Sequence, residues 1–517
     1  MSEAKSQTID LDDLCARIDA AKVYGLAQRT PTQFAPKLSA ALGRNIWLKR
    51  EDMQDVFSFK IRGAANRIAG LSEAERARGV VAASAGNHAQ GVAAAARYYK
   101  TQALIFMPIT TPPIKVSAVE AMGAKTKLIG DTYDDACDAA ITHAVETGAV
   151  FVHPFDERDV IAGQGTVGKE ILEQMPRTPA AVYVCTGGGG LVSGIGAWFH
   201  RHAPEAKVYA VEPAGAQTMG AALKAGRPVS LEKIDGFADG VAVRTCGSLT
   251  HAIASKVVDA QMAVSNDEIC AAVKDIFEAT RTVVEPAGAV ALAGVVKHIR
   301  EGGAPFIGED GGDLVVTVSG ANVNFDRIGH MVDRAEFGAG EEMLFAATIP
   351  ESAGAFLNFV RALGHRAVTE FNYRFADRRE AHVLVGLKTR DLDDRAKVIS
   401  DMAAQNIDVT DLSHDRLAKR HLRHMVGGRG DNRAEAIYRF EFPERPGALA
   451  QFLETLDARW NISLFHYSNH GAAEGHVLCG FHIPNNDIKA LEAQLAGTGY
   501  PMIRETDNPA YGFFLRG

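Results

Sequence analysis

The sequence predicts an α/β fold for residues 1–335 and two copies of a small α+β module in the remaining third. Three observations carry this. Short β-rich runs alternate with helical stretches as far as about residue 330. The strand-like run Ala180 to Cys185 passes through Thr186 and Gly187-Gly188-Gly189-Gly190 directly into the helix-like run Leu191 to Trp198. From Glu341 onward, a stretch with charged outer faces recurs 93 to 94 positions later.

In chain order, the candidate strands of the first part are Ile46 to Leu48, Gly79 to Ala83, Ala103 to Phe106, Thr126 to Ile129, Val150 to Val152, Ala180 to Cys185, Val208 to Val211 and Leu314 to Val318. Helices such as Thr166 to Met175 and Ile269 to Ala279 separate them, which is the α/β pattern. In the last third, Pro350 to Phe359 answers Pro443 to Phe452 at an offset of 93, and the offset then slips to 94. At that register Phe371-Asn372-Tyr373 answers Phe465-His466-Tyr467, and His382 to Gly386 answers His476 to Gly480. Each copy reads strand, helix, strand, strand, helix, strand, the ferredoxin-like order. The basic, glycine-rich stretch Ala418 to Arg433 reads as a linker, so the expected boundaries are 1–335, 341–414, 415–434 and 435–508. By its residues alone, such a duplicated module serves either to bind an effector or to oligomerise.

Length and composition fit a folded assembly of two to four domains: 517 residues, 47% hydrophobic and 23% charged. A net charge of -8 without blocks of like charge leaves no footprint for nucleic acid or an anionic membrane. Apolar runs such as Ala289 to Val296 are too short to span a bilayer. The six cysteines are scattered without a C-x-x-C pair and the N-terminus is polar, so a cytoplasmic protein is expected.

Chemistry concentrates in four segments. Lys60 lies in Val56-Phe57-Ser58-Phe59-Lys60-Ile61-Arg62-Gly63, an amine among apolar neighbours, where burial lowers the pKa and makes a nucleophile. Strand, glycine run and helix start form an anion cradle of main-chain N–H groups. It is not a P-loop, because Leu191-Val192 follows where Lys-Ser or Lys-Thr is needed. Nor is it a dinucleotide fingerprint: Val192 or Ser193 occupies the third glycine position, although Glu212 imitates the ribose-binding acid. A buried amine beside a phosphate cradle suggests pyridoxal phosphate. Leu314 to Asn322 then supplies Ser319 as partner of the ring nitrogen, and Ser84-Ala85-Gly86-Asn87-His88 opens a helix whose amides suit a substrate carboxylate.

In this order, the segments FSFKIRGA, SAGNHAQG, TGGGGL and VSGAN resemble the fold-type II pyridoxal phosphate enzymes related to the tryptophan synthase β-subunit, and specifically the serine/threonine dehydratases. The duplicated last third is similar to the paired ACT-like subdomains of the biosynthetic, allosteric threonine ammonia-lyases. The resemblance implies that Lys60 holds the cofactor as a Schiff base and takes the α-proton. It implies that Phe59, Asn87, Gly187, Gly188, Gly189, Gly190, Leu191 and Ser319 bind the cofactor, while Ser84, Ala85, Gly86, Asn87 and His88 hold the substrate carboxylate. The implied reaction is deamination of L-threonine, and of L-serine, to the 2-oxo acid and ammonia, with 2-oxobutanoate feeding isoleucine synthesis. Isoleucine, and valine in opposition, are the implied effectors, with Gly354, Phe371, Tyr373, Gly447, Phe465 and Tyr467 as the allosteric residues. A homotetramer without a metal is the implied assembly.

Several residues keep two readings. Arg62 either faces the phosphate or lies on the surface of its helix. Glu285 either lies under the cofactor or is a helix-start carboxylate. His88 is an acid–base group or a structural ring. His421 and His424 have metal-like spacing but lack further ligands, and are read as solvated basic residues. Two rivals remain: another enzyme on the same scaffold, such as a serine racemase, threonine synthase or sulfhydrylase, which would lack the duplicated module, and a catalytically dead amino-acid sensor, which would lack the lysine or the glycine run.

Overall fold

The computed structural model describes residues 10–508 apart from 305–310, 340–341, 351–353, 365, 375–379, 414, 416–434, 444–447, 457–459, 469–473 and 484–486. The chain forms two compact units, Met1–Gly338 and Ala339–Gly517. Of the expected linker 415–434, all but Asp415 lies outside the described residues, His421 and His424 included, as does Gly447.

The first unit contains two sheets. The larger has the order Thr32–Phe34, Asn45–Arg50, Asp313–Val318, Ala181–Cys185, Lys207–Pro213, Ala260–Val264, parallel except for its first strand. Its central strands, Asp313–Val318 and Ala181–Cys185, are buried along their whole length. That is why they read as unbroken apolar runs and not as alternating ones. The smaller sheet, Lys125–Leu128, Ala103–Met107, Val80–Ala83, Val150–Phe151, is wholly parallel. In parallel sheets with crossover helices, ligands gather outside the carboxyl ends of the strands. The sequence segments singled out above leave such ends: Ser84 follows Val80–Ala83, Thr186 follows Ala181–Cys185, and Ser319 follows Asp313–Val318.

Two helices differ from their expected bounds. Ile269 to Ala279 belongs to Asn266–Thr280, which begins earlier because Ser265 and Glu268 form a reciprocal capping box. Thr166 to Met175 belongs to Arg158–Gln174, a helix running through Gly163, Gly165 and Gly168. A Cβ on Gly163 would stand 2.6 Å from the Arg62 carbonyl oxygen, and one on Gly194 would stand 2.6 Å from the Ile161 carbonyl oxygen. These glycines therefore let the Lys60 helix and the helix after the glycine run approach Arg158–Gln174 closely. The close packing outweighs their poor helix propensity.

The second unit is one eight-stranded sheet in the order Asp408–Asp411, Glu342–Pro350, Glu380–Lys388, Val368–Arg374, Asn461–Ser468, Glu474–His482, Glu435–Pro443, Met502–Arg504. Each repeat has the expected ferredoxin-like element order, and the two orders mirror each other across the central pair. There Val368–Arg374 runs antiparallel to Asn461–Ser468, with Phe371 opposite Tyr467 and Tyr373 opposite Phe465. The duplication extends to buried polar groups: Thr369 donates to the Glu342 carboxylate, and Ser463 to that of Glu435.

Candidate active site

The Lys60 segment is sewn to the end of the strand Asp313–Val318. Phe57 takes a left-handed backbone, φ 55°. Its N–H donates to the Gln54 carbonyl at 2.7 Å and its carbonyl accepts from the Ala321 N–H at 2.8 Å. Ser58 bridges to Gly320, and the Phe59 N–H donates to the Ser319 carbonyl at 3.2 Å. An unfavourable conformation held from both sides in this way is typical of a functional site. Lys60 then opens the helix Lys60–Ala69, and its Nζ donates to the Pro154 carbonyl at 2.8 Å. The Phe59 ring lies 5.3 Å from the amine. Lys60 keeps part of its surface open but sits deep in the unit, and burial lowers its amine to about 8, with Cys185 and Glu285 opposing that shift.

The glycine run faces the same cleft, which is also lined by Lys60, Phe155, Gln164 and Cys185. Gly189, φ 94°, caps the helix Gly190–His202, and no side chain caps its first turn. Those free N–H groups, with the positive end of the helix dipole, suit a phosphate. Packing also demands glycine here: a methyl on Gly188 would run into the Phe155 ring, and one on Gly187 would stand 2.7 Å from the Val241 carbonyl oxygen. Ser319 is buried, its hydroxyl donating to the Ala287 carbonyl at 3.3 Å. Asn87 opens the helix Asn87–Tyr98 behind Gly86, whose N–H donates to the Ser84 hydroxyl at 3.1 Å. The Asn87 Nδ2 donates to Glu285 at 2.6 Å, and its Oδ1 accepts from Asn322 at 2.7 Å.

Uncapped amides at the glycine run and an amine lowered by burial, lining one cleft, fit pyridoxal phosphate in chemistry.

The structure corrects or decides other readings. Arg62 faces neither phosphate nor solvent. It is fully buried and paired with Glu51 at 2.7 Å and Glu170 at 2.6 Å, while Lys49 also meets Glu170 at 2.6 Å. Its two carboxylates come from other elements, so its neighbours in sequence could not reveal it. Glu285 is the N-cap residue of the helix Pro286–Arg300 and the partner of Asn87 at once. Burial, then the nearby Asp239, pushes its carboxyl up to about 7. His88 turns its buried ring to the Val152 carbonyl at 2.8 Å, and burial pushes it down to about 3, which leaves its main chain for the site. Glu212 accepts from the Met219 and Gly220 N–H groups at 2.7 and 2.8 Å, so it caps a helix and reads no ribose. Sequence reasoning gave no role to Asn322, Pro154, Phe155 or Gln164. Asn322 stood inside the VSGAN segment, and Pro154-Phe155 follow the strand Val150–Phe151 after a gap of two residues, signals that could have found those three; Gln164, within Arg158–Gln174, had none.

In the second unit Gly354, φ 85°, caps the helix Ala355–Ala362. Phe371, Tyr373, Phe465 and Tyr467 are buried in its core, and the Phe356 ring lies 4.9, 5.6 and 5.5 Å from those of Phe371, Tyr373 and Phe465. Among the described residues no cluster of three or more His, Cys, Asp or Glu side chains could hold a metal, and no helix is long and apolar enough to cross a membrane.

Residues 23–320 match the family described as pyridoxal-phosphate dependent enzyme, and residues 333–422 and 426–515 each match the C-terminal regulatory domain of threonine dehydratase. The L-threonine dehydratase biosynthetic IlvA of Escherichia coli (strain K12) is 46% identical over 499 residues, 96% of each chain. The chloroplastic biosynthetic threonine dehydratase 1 of Solanum lycopersicum is 43% identical over 497 residues, 96% of this chain and 81% of that one. Among solved structures, the processed form of threonine deaminase isoform 2 from Solanum lycopersicum aligns with a TM-score of 0.60 at 42% identity, covering 63% of this chain and 93% of that chain. A buried lysine amine, an uncapped glycine cradle and a twice-repeated regulatory module thus coincide with likeness over nearly the whole chain, which belongs to the pyridoxal-phosphate dependent enzymes and, among them, to the biosynthetic threonine dehydratases with a duplicated C-terminal regulatory domain.

Proposed function

We propose that the chain deaminates L-threonine to 2-oxobutanoate and ammonia through loss of water, with Lys60 as cofactor anchor and base, at the first committed step of isoleucine synthesis, and that isoleucine inhibits it through the second unit. The observation that carries the catalytic reading is the Lys60 amine, lowered to about 8 and facing the glycine run across one cleft.

When bound, pyridoxal phosphate supplies the carbonyl that captures the substrate amine and the electron sink that loosens the α-proton. The amides of Gly187 to Leu191 would hold its phosphate. Asn87 would hold the ring oxygen and Ser319 the ring nitrogen, with Phe59 beside the ring. Ser319 offers a neutral hydroxyl where a carboxylate would hold positive charge, which disfavours ring protonation and so favours elimination over transamination. The amides after Ser84 hold the substrate carboxylate. Lys60 Nζ would accept the α-proton, burial having lowered the amine towards neutrality. In the second unit, isoleucine binds beside the turn at Gly354, with Phe371, Tyr373, Phe465, Tyr467 and, by the sequence repeat, Gly447 as the other residues of its site. Further proposals are serine as second substrate, valine as opposing effector, a cytoplasmic homotetramer, and domain bounds at 1–335, 341–414 and 435–508.

Borohydride reduction of the yellow holoenzyme, followed by peptide mapping, tests the anchor: the cofactor is expected on Lys60. Keto acid and ammonia released from threonine, without and with isoleucine, test reaction and regulation together. Lys60→Ala should lose turnover, and near-normal ammonia release by that variant would refute its role.

A further inference from the structure

The geometry points to Asn322 and Glu285 as positioning residues that fix the carboxamide of Asn87, so that it presents a donor and never an acceptor to the ring oxygen of pyridoxal phosphate. The inference rests on the reading of the cleft as that cofactor's site.

A carboxamide can turn over and exchange its donor and acceptor ends, and only its neighbours decide between the two. Here the decision begins at a group without ambiguity. The Val56 carbonyl can only accept, and Asn322 Nδ2 donates to it at 2.8 Å. The nitrogen end of Asn322 is thereby fixed, and its second N–H reaches Asn87 Oδ1 at 2.7 Å. The oxygen of Asn87 is then held by Asn322, and its nitrogen must face Glu285, where Nδ2 and Oε1 are 2.6 Å apart. Glu285 accepts in either charge state, because a carboxylic acid keeps one acceptor oxygen. Gly240 lies against the pair: a Cβ there would stand at contact distance, 3.5 Å from Glu285 Oε1 and 3.8 Å from Asn87 Nδ2. One N–H of Asn87 remains uncommitted. A donor at that point stabilises an anionic ring oxygen, whereas a carbonyl oxygen would repel it. The relay also ties together the lead-in to Lys60, the segment after Ser319 and the helix opened by Asn87.

The test uses the full chain and pyridoxal phosphate itself. Asn322→Asp keeps the shape but cannot donate to Asn87, and Glu285→Ala removes the acceptor, while Glu285→Gln keeps one. Asn322→Asp and Glu285→Ala should each weaken pyridoxal phosphate affinity by about tenfold, the size of one net hydrogen bond. Both should also move the visible absorbance band of the holoenzyme or its pH midpoint, which a merely structural defect would not do. Glu285→Gln should keep the band of the unaltered protein. If Asn322→Asp does not fold, the comparison of Glu285→Ala with Glu285→Gln decides: equal affinities and equal bands overturn the proposal. So do normal affinity and spectrum in Asn322→Asp. Failure of the unaltered protein to bind pyridoxal phosphate would instead refute the cofactor reading on which the inference stands.

Discussion

The amine of Lys60 owes its reactivity to the place where its helix begins. Burial brings it from 10.5 to about 8, and only the unprotonated form attacks a carbonyl. Capture of added pyridoxal phosphate by cofactor-free protein should therefore speed up roughly tenfold per pH unit below about 8 and level off above it, as followed by stopped-flow absorbance. A profile still rising through pH 10 would mean that the amine is not lowered. If Ser319 faces the ring nitrogen as proposed, it should govern outcome more than binding. Ser319→Asp would favour ring protonation, so elimination should fall while transamination or racemisation products rise. Product analysis by chromatography checks this, and unchanged elimination with no new product would place Ser319 away from the ring nitrogen.

Among the elements, the helix Arg158–Gln174 holds the catalytic unit together around the site. A Cβ on Gly163 would meet the Arg62 carbonyl oxygen at 2.6 Å and Gly63 Cα at 2.8 Å, both main-chain atoms that cannot rotate away. Gly163→Ala should cost about 1–3 kcal/mol in urea unfolding and, because Lys60 lies on the displaced helix, weaken cofactor binding as well. Arg62 joins the same helices electrostatically, its guanidinium shared between Glu51 and Glu170 with Lys49 beside them, all buried. Removing one partner strands the others: Arg62→Ala should destabilise the unit by roughly 3–5 kcal/mol, whereas a simultaneous apolar replacement of the group should cost far less. Denaturant titration of both variants separates the two outcomes.

For the whole molecule, regulation is the behaviour that divides the two units. Arg334 pairs with Asp267 at 2.7 Å and lies over the Phe237 ring, so it belongs to the first unit, which ends at Gly338. A chain ending at Gly338 should keep threonine turnover and lose isoleucine inhibition. In the intact protein, threonine should weaken isoleucine binding by the factor with which isoleucine weakens threonine binding, as linkage requires. Calorimetry measures both, and isoleucine binding that persists without the second unit would leave the repeats as an assembly module.

The ferredoxin-like repeats were readable in the chain because matching turns and aromatic strands recur within 93 to 94 positions. So was the local geometry of the candidate site segments, because each is a contiguous run whose composition states it: glycines at a helix start, a lysine among apolar residues, a hydroxyl at a strand end. The extent of Arg158–Gln174 was not, since its glycines argue against a helix at about 1 kcal/mol each until the neighbouring helices that need them are in place. Arg62 was misread because Glu170, one of the two carboxylates that bury it, stands 108 positions away. Asn322 stood in a recognisable segment, but its role stayed hidden because its partner Asn87 is 235 positions distant. Local pattern speaks for elements whose energy is local. The burial of a charge and the direction of an amide depend on groups that only folding brings within hydrogen-bond reach.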